Sequence, residues 1–221
     1  MPRKSFDRHL QELQDEILIL GSMADKAIDR SIESLKEKNL GLARQIITDD
    51  LKVNQKRLSI EEESIKLIIT QQPVAGDLRF IVAVLNIIIE IERMADLAKG
   101  IANITLMIGD EPLLKPLVDL PRMAEKARDM LHRSLDAFIN RDAEAARQIS
   151  DEDDEVDNLY DQVFRELLTF MMEDPRTITR ATRLIWAAHN LERIADRVTN
   201  ICERVVFTVT GKMEEIGASK Y

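Results

Sequence analysis

The sequence predicts an all-α fold made of two tandem, pseudo-symmetric three-helix bundles, six long helices in all. Two observations carry this. Only 7 Gly and 6 Pro interrupt 221 residues that are 45% apolar and 32% charged, so long periodic segments with few breaks are expected. The segment "IIEIERMADLAKGI", starting at Ile88, also returns as "NLERIADRVTNIC" from Asn190, placing Glu192 and Asp196 at an offset of 100 from Glu92 and Asp96. A repeat of that regularity marks duplication, with a first unit over 1–110 and a second over 111–221.

The elements follow from the offsets and the breakers. "MADKA" at Met23 aligns with "MAEKA" at Met123, and Ser34-Leu35 with Ser134-Leu135, before the offset shifts to 103 and brings "ARQI" at Ala43 over "ARQI" at Ala146. Shifts in offset mark loops, here around Asn39 and Gly41 and at "NRD" from Asn140. Pro73 in "QQPVAGD" and Pro175 in "MEDPRT" end the next helix of each half, because proline lacks an amide donor and clashes with the preceding turn. Helices are therefore predicted over 6–38, 42–71, 74–108, 117–139, 143–173 and 176–210. The half boundary falls in "GDEPLLKP", where Gly109, Pro112 and Pro116 crowd together. At 1.5 Å per residue the longer helices span about 45 Å. In the third helix of each half, Val84, Ile88, Ile91, Ala95 and Ala98 form a heptad seam matched by Leu184, Ala188, Leu191, Ala195 and Val198. Met94, Met171 and Met172 read as core filler.

Composition excludes several classes of function. A net charge of −9 argues against wrapping nucleic acid, which needs a basic field. The single cysteine, Cys202, rules out an internal disulfide and fits a reducing cytoplasm. The start "MPRKSFDRHL" lacks the apolar core of a signal peptide, and the longest apolar stretch, "FIVAVLNIIIEIE", is well short of the roughly 20 residues that span a bilayer. No GxSxG, P-loop, Gly-rich dinucleotide turn or HExxH occurs, so covalent catalysis has no carrier and a non-enzymatic role is expected.

The repeated acids are the candidate site. Glu92 and Asp96 project within about 40° of one another, one turn apart on the flank of the seam. The middle helices offer Asp50 with Asn54 and Asp153 with Asp157 at the same spacing. Antiparallel packing of the second and third helices would gather Asp50, Asn54, Glu92 and Asp96 on one surface, and Asp153, Asp157, Glu192 and Asp196 on another. Four oxygen donors per half suit a hard cation, and bridging carboxylates would allow more than one. A single acid pair four residues apart is equally an ordinary solvated face; recurrence on corresponding helices of both halves favours ligation. His189 borders the second cluster without a counterpart, as Ile89 occupies its position, and reads as structural. His9 and His132 have no repeated context. Arg93 and Arg193 could salt-bridge the acids or bind a phosphate group.

Taken together, "QQPVAGDLR", "IERMADLAKGI", "DDEVDNLYDQV", "LLTFMMEDPRTI" and "HNLERIADRVTNICERVVF" resemble the PhoU family of phosphate-transport regulators over nearly the whole chain. The resemblance implies metal binding at Glu/Asp-x-x-x-Asp motifs, by divalent or trivalent ions such as iron, zinc, manganese or magnesium. The motif carries over to Glu92 with Asp96, Asp153 with Asp157, and Glu192 with Asp196. Asp50 with Asn54 departs from it, since an amide oxygen coordinates without charge. It further implies a cytoplasmic negative regulator of the phosphate-starvation response, linking the ATPase subunit of the phosphate ABC transporter to a phosphate-sensing histidine kinase. Such a protein would reach the membrane only through its partners. A homodimer is plausible from the exposed seams of long helices. Other readings of the acids are a metal-handling protein and a metal-dependent hydrolase.

Overall fold

The computed structural model describes residues 3–216, and every regular element within them is helical. In chain order these are α1 (Arg3–Lys36), α2 (Leu40–Gln71), α3 (Ala75–Ile108), α4 (Asp119–Asn140), α5 (Ala143–Asp151), α6 (Asp153–Glu173), a 3-10 turn (Pro175–Thr177) and α7 (Ile178–Thr210). The breaks arise from local chemistry. The Asn39 side chain accepts from Leu42 N–H to start α2, and Asp142 accepts from the amides of Glu144 and Ala145 to start α5. Gly211, at φ 75°, closes α7 through its amide to the Phe207 carbonyl, a left-handed geometry that costs glycine nothing.

One expected helix is divided. The segment predicted as continuous from 143 to 173 breaks at Glu152, whose carboxylate is drawn to α4 by Arg133 (2.7 Å) and Lys126 (2.7 Å). Five consecutive acids, 151–155, repel one another, and aspartate is a weak helix former, so the continuous helix has little to offset that pull. Asp153 consequently becomes the first residue of α6.

All ten seam residues are buried at 1% exposure or less. The methionine expectation divides: Met94 is in the core and Met171 packs against it, but Met172 is 77% exposed. Met172 is turned about 100° from Met171 around α6, on the side that faces water.

The two halves pack into a single core. α3 and α7 share the broadest interhelical contact, and one continuous apolar cluster draws on α1 through α7. Phe80 on α3 stacks on Phe138 of α4 with ring centroids 5.1 Å apart. α1 reaches α4 through Asp25, whose carboxylate takes hydrogen bonds from Arg128 (2.7 Å) and lies 3.0 Å from His132 Nε2. Gly21 permits that approach, because a Cβ there would sit 2.4 Å from Leu135 Cδ1. No helix among the described residues is long and apolar enough to cross a membrane.

Candidate functional site

The core-facing seam fixes the rotation of α3 and α7. Glu92 and Asp96, one and five positions after Ile91, therefore flank the helix toward α2. Glu192 and Asp196 hold the same relation to Leu191 and α6. The two sets of four predicted residues differ sharply in what surrounds them.

In the first repeat, Asp50 on α2 is only 6% exposed. Its Oδ2 receives Lys99 Nζ at 2.7 Å and Asn54 Nδ2 at 3.2 Å. The same ammonium reaches Asp96 Oδ1 at 2.6 Å. Lys99 is thus a resident cation bridging α2 and α3. Burial works against its charge, but the hydrogen bonds it donates to Asp50 and Asp96 prevail and hold its pKa above the ordinary lysine value. Glu92 completes the group. Its pKa is raised by burial and then by the Asp96 and Asp50 charges, with Arg57 acting the other way.

In the second repeat the position of Lys99 is taken by Thr199, whose hydroxyl donates to the Asp196 carbonyl (2.8 Å) and brings no charge. Asn54 is replaced by Asp157. Four carboxyls therefore face one another without an ammonium. Burial, followed by repulsion from Asp157, Asp196 and Glu192, pushes Asp153 up to about 7. Glu192 is likewise pushed up to about 7 by burial and then by Asp196 and Asp157. Asp157 is raised by burial and by Asp196. Asp196 is raised by burial despite Arg197, Arg193 and His189, and it lies within hydrogen-bonding reach of Asp153. Asp153 Oδ1 and Glu192 Oε2 are buried with no hydrogen-bond partner. His189 Nδ1 is 3.2 Å from Glu192 Oε2 but lacks hydrogen-bond alignment, and its ring packs against Tyr160 at 5.9 Å.

The donor set tells the two sites apart. Among the described residues no group of three or more His, Cys, Asp or Glu side chains is placed so as to hold a metal ion. In the second repeat, buried oxygens without partners and an all-carboxylate surround fit a hard cation. The first repeat also has one buried oxygen without a partner, Asp50 Oδ1, but fits a cation poorly, since Lys99 Nζ already occupies the space between Asp50 and Asp96. Lys99 was hidden from a reading centred on what the repeats share. Its signal lies in what they do not share, a lysine opposite Thr199.

A duplicated three-helix unit, without strands among the described residues and with carboxylates at equivalent helix positions, defines an all-α tandem-repeat scaffold protein. Comparison with known proteins makes this specific. The PhoU domain model matches twice, over 17–105 and 120–205, and the chain belongs to the PhoU family. It is 36% identical over 217 residues to a phosphate-specific transport system accessory protein PhoU homolog of Clostridium acetobutylicum, covering 98% of this chain and 99% of that one. A homolog of the same description from Rhizobium meliloti is 37% identical over 208 residues, with 94% and 88% covered. The crystal structure of PhoU from Pseudomonas aeruginosa superposes with a TM-score of 0.88 at 33% identity, over 94% of this chain and all (100%) of that one. The phosphate transport system regulatory protein PhoU from Streptococcus pneumoniae gives a TM-score of 0.88 at 30% identity, over 96% and 100%.

Proposed function

We propose that this protein is a non-enzymatic, cytoplasmic accessory protein of a phosphate-specific transport system. It serves as an adaptor between the ATPase subunit of the phosphate ABC transporter and a phosphate-sensing histidine kinase, and silences the starvation response when phosphate is plentiful. The observation that carries this reading is the match over both repeats and nearly the full chain to proteins described as phosphate-specific transport accessory proteins. Long helical faces and a sequence without nucleophile motifs agree with an adaptor that self-associates as a homodimer and meets the membrane through its partners. The test is genetic. A host lacking its own family member should recover repression of alkaline phosphatase in high phosphate when supplied with this chain. Unrepressed phosphatase despite normal protein levels would reject the reading.

Metal binding is the second part of the proposal, and it concerns the two repeats unequally. Asp153, Asp157, Glu192 and Asp196 would hold the ion, which would neutralise their mutual repulsion and tie α6 to α7. An all-oxygen set suits manganese, magnesium or iron better than zinc, whose structural sites draw on nitrogen and sulfur. What supports this is the pair of buried, unpartnered oxygens on Asp153 and Glu192. In the first repeat, Asp50, Asn54, Glu92 and Asp96 are served by Lys99 instead. Elemental analysis of the purified chain should find metal that is lost in Asp196→Ala and kept in Asp96→Ala. The reverse pattern would refute the assignment.

A further inference from the structure

α3 and α7 cross antiparallel on the axis that relates the repeats. Glu90 accepts from Arg197 Nη1 (3.3 Å) and Asn200 Nδ2 (3.2 Å). Ten residues further along α3, Gly100 lies against Asn190, where an added Cβ would come within 2.9 Å of Nδ2. Between these contacts is a pocket of about 360 Å³ lined by Arg93, Asp96, Leu97, Arg193 and Arg197. Arg93 and Arg193 are equivalent positions of the two repeats. Each follows its metal-motif glutamate by one residue, so each turns about 100° away from the acids of α2 or α6 and into the groove between α3 and α7.

Three guanidiniums thus line the pocket with a single carboxylate, Asp96, whose Oδ1 is already engaged by Lys99, while the charges of Glu92, Glu192 and Asp196 lie close enough to be felt. Neither Arg93 nor Arg193 makes a hydrogen bond or salt bridge among the described residues, in a chain whose 40 acids outnumber its 31 bases. Arg197 spends one nitrogen on Glu90, while its Nε is buried with no partner. Arg93 and Arg193 are exposed to water at the mouth of this pocket, and their planar guanidinium forks match tetrahedral oxyanions bidentately. The pocket volume is at the lower end of the range for small-molecule sites.

We infer that this pocket binds a doubly charged oxyanion of the phosphate class, held by Arg93, Arg193 and Arg197. The shared chemistry is a phosphoryl dianion, supplied by free inorganic phosphate or by a nucleotide. The inference requires neither the adaptor role nor the cation at the second repeat. Its test is therefore run on the full chain in EDTA, in a buffer free of phosphate and sulfate.

Calorimetric titration with inorganic phosphate, and separately with AMP, is expected to give saturable binding of one anion per chain. Arg93→Gln with Arg193→Gln should weaken it by about tenfold or more per guanidinium. Arg176→Gln, far along the chain and paired only with Asp174, should leave it unchanged. Thermal unfolding supplies the second readout, with phosphate raising the midpoint of the wild type and not that of the double variant. AMP binding tighter than phosphate, lost in the same variant, would identify a nucleotide as the source; equal or weaker AMP binding would identify free phosphate. The inference is overturned if neither anion binds more tightly than about 10 mM, too weak for three convergent guanidiniums. It is equally overturned if the double variant binds as the wild type does.

Discussion

Replacing Lys99 with methionine keeps the aliphatic stem and removes the ammonium that joins α2 to α3. Lys99 Nζ sits 2.7 Å from Asp50 Oδ2 and 2.6 Å from Asp96 Oδ1, and Asp50 is 6% exposed. Breaking a buried ion pair from one side costs roughly 3–5 kcal/mol, because a desolvated charge is left behind. Two features reduce that here. Lys99 is 31% exposed, so water already shares the charge, and Asn54 keeps its hydrogen bond to Asp50 at 3.2 Å. A loss of about 2–3 kcal/mol remains. For a chain of this length it lowers the melting midpoint by roughly 4–12 °C. The assay is thermal unfolding in EDTA at neutral pH, with Lys52→Met as the control. Lys52 pairs with Asp49 at 2.7 Å but is 70% exposed, so its loss should stay within about 0.5 kcal/mol. In an Asp196→Ala background, with EDTA removed, manganese should restore part of the Lys99→Met loss by entering the vacated space among Asp50, Glu92 and Asp96. A midpoint within about 1 °C of wild type, or one indifferent to manganese, would refute the resident-cation argument.

Three other perturbations have calculable signs. Burial alone would raise the Asp25 pKa, but hydrogen bonds from Arg128 and then His132 hold it below the ordinary 3.8. A lowered folded value stabilises the fold above 3.8, and the contribution disappears as acid titrates the group. Asp25→Asn should therefore cost about 1–2 kcal/mol at pH 7 in urea unfolding, and nothing once the wild-type carboxyl is protonated; an equal cost at both extremes of pH would contradict the ion-pair account. Gly21→Ala forces a methyl into Leu135 at the α1–α4 contact and should destabilise by roughly 1–3 kcal/mol despite alanine's better helix propensity, with a stabilised variant showing that α1 and α4 do not pack this closely. The buried Cys202 thiol is pushed up to about 12 by desolvation. Its reaction with a disulfide reagent should run about a hundredfold or more slower than free cysteine until the chain unfolds, and prompt labelling of native protein would place Cys202 outside the core.

The helices were legible because their interruptions are chemical. Asn39 and Asp142 cap, Pro73 and Pro175 stop, and Gly109 with Pro112 and Pro116 separates the halves. The seam from Val84 to Ala98 was legible because burial enforces a period, and all five of its members are in the core. The break at Glu152 was not, because it depends on Arg133 and Lys126 of α4, contacts that no local pattern in 143–173 encodes. The same reason hid the crossing of α3 over α7. Periodicity says which face of each helix is buried but not which partner buries it. Among the site residues, repetition singled out Glu92, Asp96, Glu192 and Asp196, which lie near the middle-helix acids Asp50, Asp153 and Asp157. It passed over Lys99 because comparison of duplicated halves rewards identity, and the electrostatic state of a cluster is set by its departures from identity.

That difference has an energetic consequence. Two substitutions separate the clusters, lysine against Thr199 and Asn54 against Asp157, and both remove negative charge or add positive charge in the first repeat. The first cluster, three acids and one lysine, therefore has a formal charge of −2 against −4 for the four acids of the second, and its α2–α3 contact is held by a cation of the chain itself. The second carries two carboxyls, Asp153 and Glu192, pushed up to about 7 by burial and then by the acids around them. Near neutral pH its α6–α7 contact is repulsive unless a proton or a cation intervenes. Asp153 opens α6 directly after Glu152, the residue anchored to α4 by Arg133 and Lys126. An added cation would draw α6 toward α7 in one repeat, while Lys99 would keep the other fixed. Because α7 also carries Arg193 and Arg197 into the pocket against α3, a charge change at Asp196 acts within a few residues of both guanidiniums.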